Sequence, residues 1–481
     1  MNETENVVVP RQSSHHAESA LRRLPQIIRR AFTEFLKIPA LIILGFLALA
    51  AAATALDHAY AGPGHPLHTA LREYFFRNGR ATSDLLATIA GSIITVLSIT
   101  FSMLLLAVQQ AAGALTHQVY DQFLRRRINQ IYFGFFVGLA VYTLVILATV
   151  DQPYNPVFGA TVALVLTLVA LVLVIVLLYT TVNQMRPVVV IEKIHDHALR
   201  ARERQLAWLR RVRSVPQGSG PFESPVTAAV HGYVIRIDVD ALAAAAESAD
   251  GEIEFLLRVS VGASIAFQDE IATIRADRAV DFTQLADCVR AAIHIEQQRD
   301  LDADPAYGIE QLAIIAWTSV STAKSNPSPG LLVLHSLRDL LARWSIEPAD
   351  TSPPVAKRVP VVYADDVMPR LFDAFETLAV VASESMQPQT AAEFVRTFAT
   401  MFHRLPAEHQ SRAEDLIRRS LSALGDHVLT AELDAALHGL VAALNAAGRT
   451  SSAAEVEAAR LELAATIGKL RSRSTRAPAN P

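Results

Sequence analysis

VFGATVALVLTLVALVLVIVLLYTTV, residues 157–182, decides the architecture, because it is apolar on every face and too long for a helix buried in a water-soluble core. It lies inside an uncharged run from 152 to 185. A helix needs about 20 mostly apolar residues to cross the hydrocarbon of a bilayer, so a membrane span is predicted here. Three more uncharged runs precede it, at 38–56, 85–120 and 128–150. They place spans near 38–57, 85–107 and 130–150, which with 157–182 makes four.

Orientation follows from the loop cations. Arg11, Arg22, Arg23, Arg29, Arg30 and Lys37 precede the first span, and Arg125, Arg126 and Arg127 separate the second from the third. Arg186, Lys193, Arg200, Arg202, Arg204, Arg210, Arg211 and Arg213 follow the fourth. Threading four helices puts these segments on one side, so both termini are expected in the cytoplasm. The opposite loops carry only Arg72, Arg77 and Arg80, and no Lys or Arg between 151 and 156. A cleaved signal peptide is the rival reading of the first span, since Ala59-Tyr60-Ala61 resembles a small-x-small site. The long leader and the long apolar stretch both exceed signal-peptide dimensions.

Within the spans, Thr88, Ser92, Thr95 and Ser102 form one polar helical stripe. Such a stripe serves helix packing or lines a permeation path. The uncharged cores hold no ionisable residue, which argues against a proton- or ion-coupled transporter. Gly134 and Gly138 form a Gly-x3-Gly pair for close helix approach. Tyr60, Tyr74, Tyr132, Tyr154 and Tyr179 are candidate interfacial anchors.

The 481 residues are 51% hydrophobic and 19% charged, with a net charge of −4, so there is no footprint of a nucleic-acid binder. The single cysteine, Cys288, rules out an internal disulfide framework and a Cys-based zinc site. After a basic leader (1–37) and the spans (38–182), residues 183–225 read as a basic juxtamembrane helix and a turn-rich linker, VPQGSGPFESP. Arg125, Arg126, Arg127, Arg200, Arg202, Arg204, Arg210 and Arg211 are candidate contacts for anionic headgroups. HGYVIRID and EIEFLLRVSV then alternate with period two, predicting a small β-rich subdomain over 226–276. A helical region over 281–471, punctuated by prolines, and a tail at 472–481 complete the chain. The fold class expected is a four-span α-helical membrane domain followed by a cytoplasmic α+β region.

Four blocks occur in order: FSMLLLAVQQAA (101–112), FLRRRINQIYFGFFVGLAVY (123–142), HGYVIRIDVDAL (231–242) and DPAYGIEQLAIIAW (304–317). Together they resemble the uncharacterised bacterial membrane proteins grouped as domain of unknown function 2254. The resemblance covers roughly 30–345 and implies a bacterial plasma-membrane location, with no biochemical activity attached. It singles out Gly232, Tyr233, Asp238, Tyr307, Gly308, Gln311, Asn326 and Pro327 as block residues without an assigned role. Members tend to carry a Ser-Pro-Gly-Ile-Asn-Asp-Pro loop after the last block. Here that stretch is SVSTAKSNPSPG, with Asn326-Pro327 but no aspartate between them.

No phosphate loop, zincin helix or nucleophile elbow is present, so neither a catalytic residue, a cofactor nor a metal is expected. His195 and His197 are too close in sequence to share a helix face, and Asp302, Asp304, Asp365 and Asp366 read as caps or solvated acids. The partners expected are the lipid bilayer and further copies of the chain; a small-molecule or ion ligand has no signature. The leading functional reading is a homo-oligomeric, channel-like protein with a cytoplasmic assembly or gating region; the alternatives are a membrane-anchored scaffold or sensor whose cytoplasmic region binds a partner and, third, an enzyme acting on lipid at the cytoplasmic face.

Overall fold

The structure, a computed structural model, describes residues 36–60, 66–114, 127–151, 154–184, 186–217, 220–321, 326–346, 358–424 and 427–466. The expectations for the leader, for Arg125 and Arg126, and for the C-terminal tail lie outside the described residues. The chain divides into two compact units, Met1–Arg186 and Pro187–Pro481.

The first unit holds α1 (Lys37–Ala59), a short α2 (Pro66–Tyr74), α3 (Gly79–Ala114), α4 (Arg127–Ala148) and α5 (Val157–Gln184). Four of them, α1, α3, α4 and α5, are long and apolar enough to span a membrane. In hydrocarbon no water can satisfy a backbone amide, which is why each uncharged run closes its hydrogen bonds as one continuous helix. The helix α4 is the packing centre, with half of its apolar window buried. Its two glycines make that possible. A Cβ on Gly134 would stand 2.9 Å from Pro39 Cα, and one on Gly138 would stand 2.4 Å from the Phe46 ring, both on α1.

Three boundaries differ from expectation. The second span belongs to a helix that starts at Gly79 and continues to Ala114, and α2 interrupts the loop before it. The first helix continues past the uncharged run and buries Asp57, which is 1% exposed. Its carboxylate accepts the backbone N–H groups of Phe158 (2.7 Å) and Gly159 (2.9 Å) in the first turn of α5. Those amides have no partner within their own helix, so an acid from α1 satisfies them. The expectation that the spans hold no ionisable residue is therefore corrected at Asp57, the last residue of the predicted first span. Tyr132 is also corrected: at 7% exposed it packs inside the unit, whereas Tyr74 and Tyr179 are exposed.

The second unit starts with α6 (Pro187–Leu209) and continues as an α+β subdomain: β1 (Phe222–Thr227), β2 (Gly232–Ile237), α7 (Val239–Ser248), β3 (Ile253–Leu257), β4 (Ser264–Ile265), β5 (Glu270–Ala276), α8 (Phe282–Ala292) and β6 (Ile293–Glu296). Helices α9 (Pro305–Ser321) and α10 (Ser328–Trp344) follow, then β7 (Val361–Val362), α11 (Val367–Glu384), α12 (Pro388–Met401), α13 (Ala407–Leu424), α14 (Ala431–Ala446) and α15 (Thr450–Thr466). One sheet has the order β1-β5-β3-β7 and the other β4-β2-β6. All ladders are antiparallel except β3–β7.

The subdomain predicted over 226–276 therefore extends further, and the helical region expected from 281 is interrupted by a strand. Helix α8 stops at Ala292, and Ile293-His294-Ile295-Glu296 turns to an alternating strand that pairs with β2. Fully buried Val234, Leu242, Phe255, Ile274 and Val289 form the subdomain core.

Adding a methyl group at Gly138 drives it into the Phe46 ring. Gly138→Ala is expected to destabilise the first unit by about 1–3 kcal/mol, the usual range for overpacking, and Phe46→Leu should restore part of that loss. Thermal unfolding of the full chain in detergent measures both; an unchanged midpoint for Gly138→Ala would show that α1 and α4 do not approach this closely.

Candidate functional site

The most densely built polar region of the second unit is a buried seam joining α6 to the sheets and to α9. It starts from the composition of α6. Residues Val190, Ile191, Ile194, Ala198, Ala201, Arg202 and Gln205 form its buried face, apolar at one end and polar at the other. Small residues let the neighbouring helix close in: a Cβ on Gly308 of α9 would meet Ala198 Cβ at 2.7 Å.

Arg202 is 4% exposed. Its guanidinium lies 2.8 Å from Asp365, donates to Gln205 Oε1 at 2.8 Å and sits 6.0 Å from the Trp344 ring. Trp208, two turns along, packs edge-on against Tyr363 at 4.9 Å. The Tyr363 hydroxyl accepts the Val261 N–H at 3.2 Å, and burial pushes that phenol up. Ser260 donates to Asp366 at 2.9 Å.

The loop then passes the second half of the seam, and here only glycine fits. Gly262 has φ +89°, and a Cβ there would stand 2.2 Å from Asp304 Oδ2. Arg299 grips Asp304 through Nε (2.8 Å) and Nη2 (2.7 Å), pairs with Glu310 and lies over the Tyr307 ring at 4.5 Å. Asp304 also accepts the Tyr307 N–H at 3.0 Å ahead of Pro305, the usual acid-then-proline start of a helix. Burial pushes the Asp304 carboxyl upward against the pull of Arg299. The Val234 carbonyl of β2, next to Tyr233, accepts the Gly262 N–H at 2.7 Å.

Two sequence blocks far apart in the chain thus meet around Arg299, a residue that no motif marked. The other block residues have local structural roles. Gly232 (φ +150°) leaves room for the Glu296 carbonyl oxygen, 2.5 Å from where a Cβ would be. Asp238 caps α7 through Ala241 N–H at 3.0 Å, and Asn326 accepts Ser328 N–H at 3.0 Å before α10. Pro327 is the cap residue of α10. Gln311 is 5% exposed, and its Oε1 has no hydrogen-bond partner among the described residues.

Both buried cations of the seam meet acids from other parts of the chain, an arrangement that clamps the elements together. His195 pairs with Asp339 (2.9 Å) and His197 with Asp302 (2.7 Å), so the two imidazoles have separate carboxylate partners. Among the described residues no group of three or more His, Cys, Asp or Glu could hold a metal. Beside the seam an open cleft of about 420 Å³ is lined by Arg204, Arg211, Arg236, Asp238, Asp240 and Asp302 among others. Arg211 pairs with Asp240, and Arg204 donates to the Asp302 carbonyl at 2.7 Å.

Arg202 therefore departs from its expected place at the headgroups: it is enclosed in an ion pair. Arg200 and Arg127 are exposed, and Arg210 is half-buried. In the first unit, Thr88, Ser92, Thr95 and Ser102 lie on the outer face. The hydroxyls of Thr88, Thr95 and Ser102 donate to the carbonyls of Asp84, Gly91 and Ser98 at 2.7–2.9 Å.

Breaking the clamp has a predictable consequence. Asp304→Asn keeps the helix cap but removes the buried acid beneath Arg299 while Glu310 still pairs with it, so a loss of about 1–3 kcal/mol is expected, the usual cost of leaving buried donors poorly satisfied. Combining it with Arg299→Met should recover part of the loss. Thermal unfolding of the full chain reads both; a single-variant loss below about 1 kcal/mol would place the pair among weak surface bridges.

The family model described as predicted membrane protein (DUF2254) matches residues 33–387. An uncharacterized protein of Mycobacterium bovis is 26% identical over 266 residues, covering 52% of this chain and 50% of that protein. One from Mycobacterium tuberculosis strain H37Rv matches to the same extent, and one from strain CDC 1551 is 25% identical over 266 residues. The chain spans about half the length of these curated relatives. No solved structure matches it. The length of the family match settles membership: the chain belongs to the DUF2254 family of predicted membrane proteins.

Proposed function

We propose that the protein is a membrane-anchored scaffold or sensor, in which the four spans hold the chain in a bacterial plasma membrane and the second unit, on the cytoplasmic side, binds a partner. The observation that carries this reading is the interior of the first unit. Phe46, Leu86, Ile89, Ile93, Phe136, Leu139, Tyr142 and Ile146 fill it, and the buried Thr143 hydroxyl donates to the Leu139 carbonyl at 2.8 Å. An interior filled by packed apolar side chains supports anchoring over conduction through a single chain. The cationic excess after the second and fourth spans supports cytoplasmic termini.

A second reading has one observation of its own. Thr88, Gly91, Ser92, Thr95 and Ser102 share the outer face of α3, and nothing lies within 4 Å of a Cβ built on Gly91. Several copies joined through that face would place the stripe along a shared axis, the arrangement of a homo-oligomeric, channel-like protein.

Cysteine accessibility separates the two. With Cys288 replaced by Ser, cysteines at Ser92, Thr95 and Ser102 are expected to resist a membrane-impermeant thiol reagent in the reconstituted protein, as are those at Ile93 and Leu97. Thiolates form only where water reaches. Labelling confined to Ser92, Thr95 and Ser102 would overturn the anchoring reading in favour of a hydrated path.

A further inference from the structure

The second unit has one end whose position relative to a bilayer is limited by the chain itself. Helix α5, which carries the fourth span, ends at Gln184 and α6 begins at Pro187. At no more than about 3.6 Å per residue, the head of α6 can lie no further than about 11 Å from the last residue of α5.

Other elements reach the same end. Helix α10 runs alongside α6 in the same direction: Asp339 meets His195, and further along both helices Trp344 meets Arg202. Helix α9 runs the opposite way. It begins beside the middle of α6, where Gly308 faces Ala198, and its last turns meet the head of α10, where a Cβ on Gly330 would stand 2.5 Å from Val320. The tail of α9 and the head of α10 therefore lie level with the head of α6.

This end exposes apolar side chains. Helix α9 buries most of its apolar residues, with Ile309, Leu312, Ile315, Ala316 and Val320 all enclosed. Yet Ile314 is 39% exposed and Trp317 40% exposed, three residues apart on one face. Val188 in the first turn of α6 is 47% exposed, and Arg186 before it is exposed as well. Of the three tryptophans, Trp344 is 5% exposed and Trp208 packs against the sheet core, so Trp317 is the one that faces outward.

We propose that this end of the second unit sits in the headgroup–acyl boundary of the bilayer that holds the spans, with Trp317 and Ile314 as its anchors. An indole beside aliphatic side chains and a cation is the composition that partitions into that boundary. The occupant is lipid because the tether is too short to hold the end of α6 away from it. This placement requires only the four spans and holds for a scaffold and a channel alike.

The test uses the full chain in vesicles of phosphatidylethanolamine and phosphatidylglycerol containing a lipid with a nitroxide near the top of its acyl chain. Wild-type tryptophan emission is expected to be partly quenched by the nitroxide, and Trp317→Phe should abolish that quenchable part while leaving the unfolding midpoint unchanged. Iodide in the aqueous phase should not quench the same part. Equal nitroxide quenching in the two proteins would overturn the proposal. So would a Trp317 signal that iodide quenches, which places the ring in water, or one that neither agent reaches, which places it under protein from a second copy or another segment.

Discussion

A buried guanidinium dictates how the second unit is put together. Removing an arginine from water is unfavourable by several kcal/mol unless an acid and further hydrogen-bond acceptors meet it in good geometry. Arg202 finds them in Asp365, which comes from the segment between β7 and α11, and in Gln205 on its own helix. That requirement brings the chain after β7 back onto α6, beside Tyr363 and Trp208. The same logic repeats at Arg299, where Asp304 starts α9 and Tyr307 covers the cation. Both arginines use acids that also shape the local backbone, so the sheets and the helices are joined by groups that cannot be separated cheaply.

The first unit obeys a different constraint. Burying apolar surface supplies little preference for one helix pairing over another when the surrounding solvent is itself apolar, so close backbone approach and polar caps decide the arrangement. Gly134 and Gly138 provide the approach, and Asp57 provides the cap by closing the first turn of α5 from α1. Tyr142 adds a third tie, its hydroxyl donating to the Gly159 carbonyl at 3.0 Å. Close approach, cap and tie therefore lock spans one, three and four together, whereas α3 keeps an exposed small-residue face.

Much of this was legible in the residues. Uninterrupted apolar runs announced the four spans, the Gly-x3-Gly pair pointed to a close helix contact, and prolines marked about half of the helix starts in the second unit. The rest depended on partners distant in sequence. Nothing local distinguishes Arg202 from Arg200, yet one is enclosed and the other exposed, because only one faces Asp365. Asp57 ends the first uncharged run with no local sign of a cap, since the amides it caps lie about a hundred residues further on. The strand β6 follows α8 without a breaker, and its pairing with β2 overrides the helical continuation. The block residues around Tyr307 were visible as blocks, but their convergence on Arg299 and Gly262 belongs to the tertiary structure alone.

The central claim is that α6 is a structural member of the second unit rather than a free basic linker leaving the membrane. Hydrogen–deuterium exchange of the full chain in lipid nanodiscs addresses it directly. Backbone amides between 190 and 205 should exchange as slowly as those of α9 and α10, and lose protection together with them as denaturant rises. Fast exchange across α6 while α9 and α10 stay protected would contradict the account.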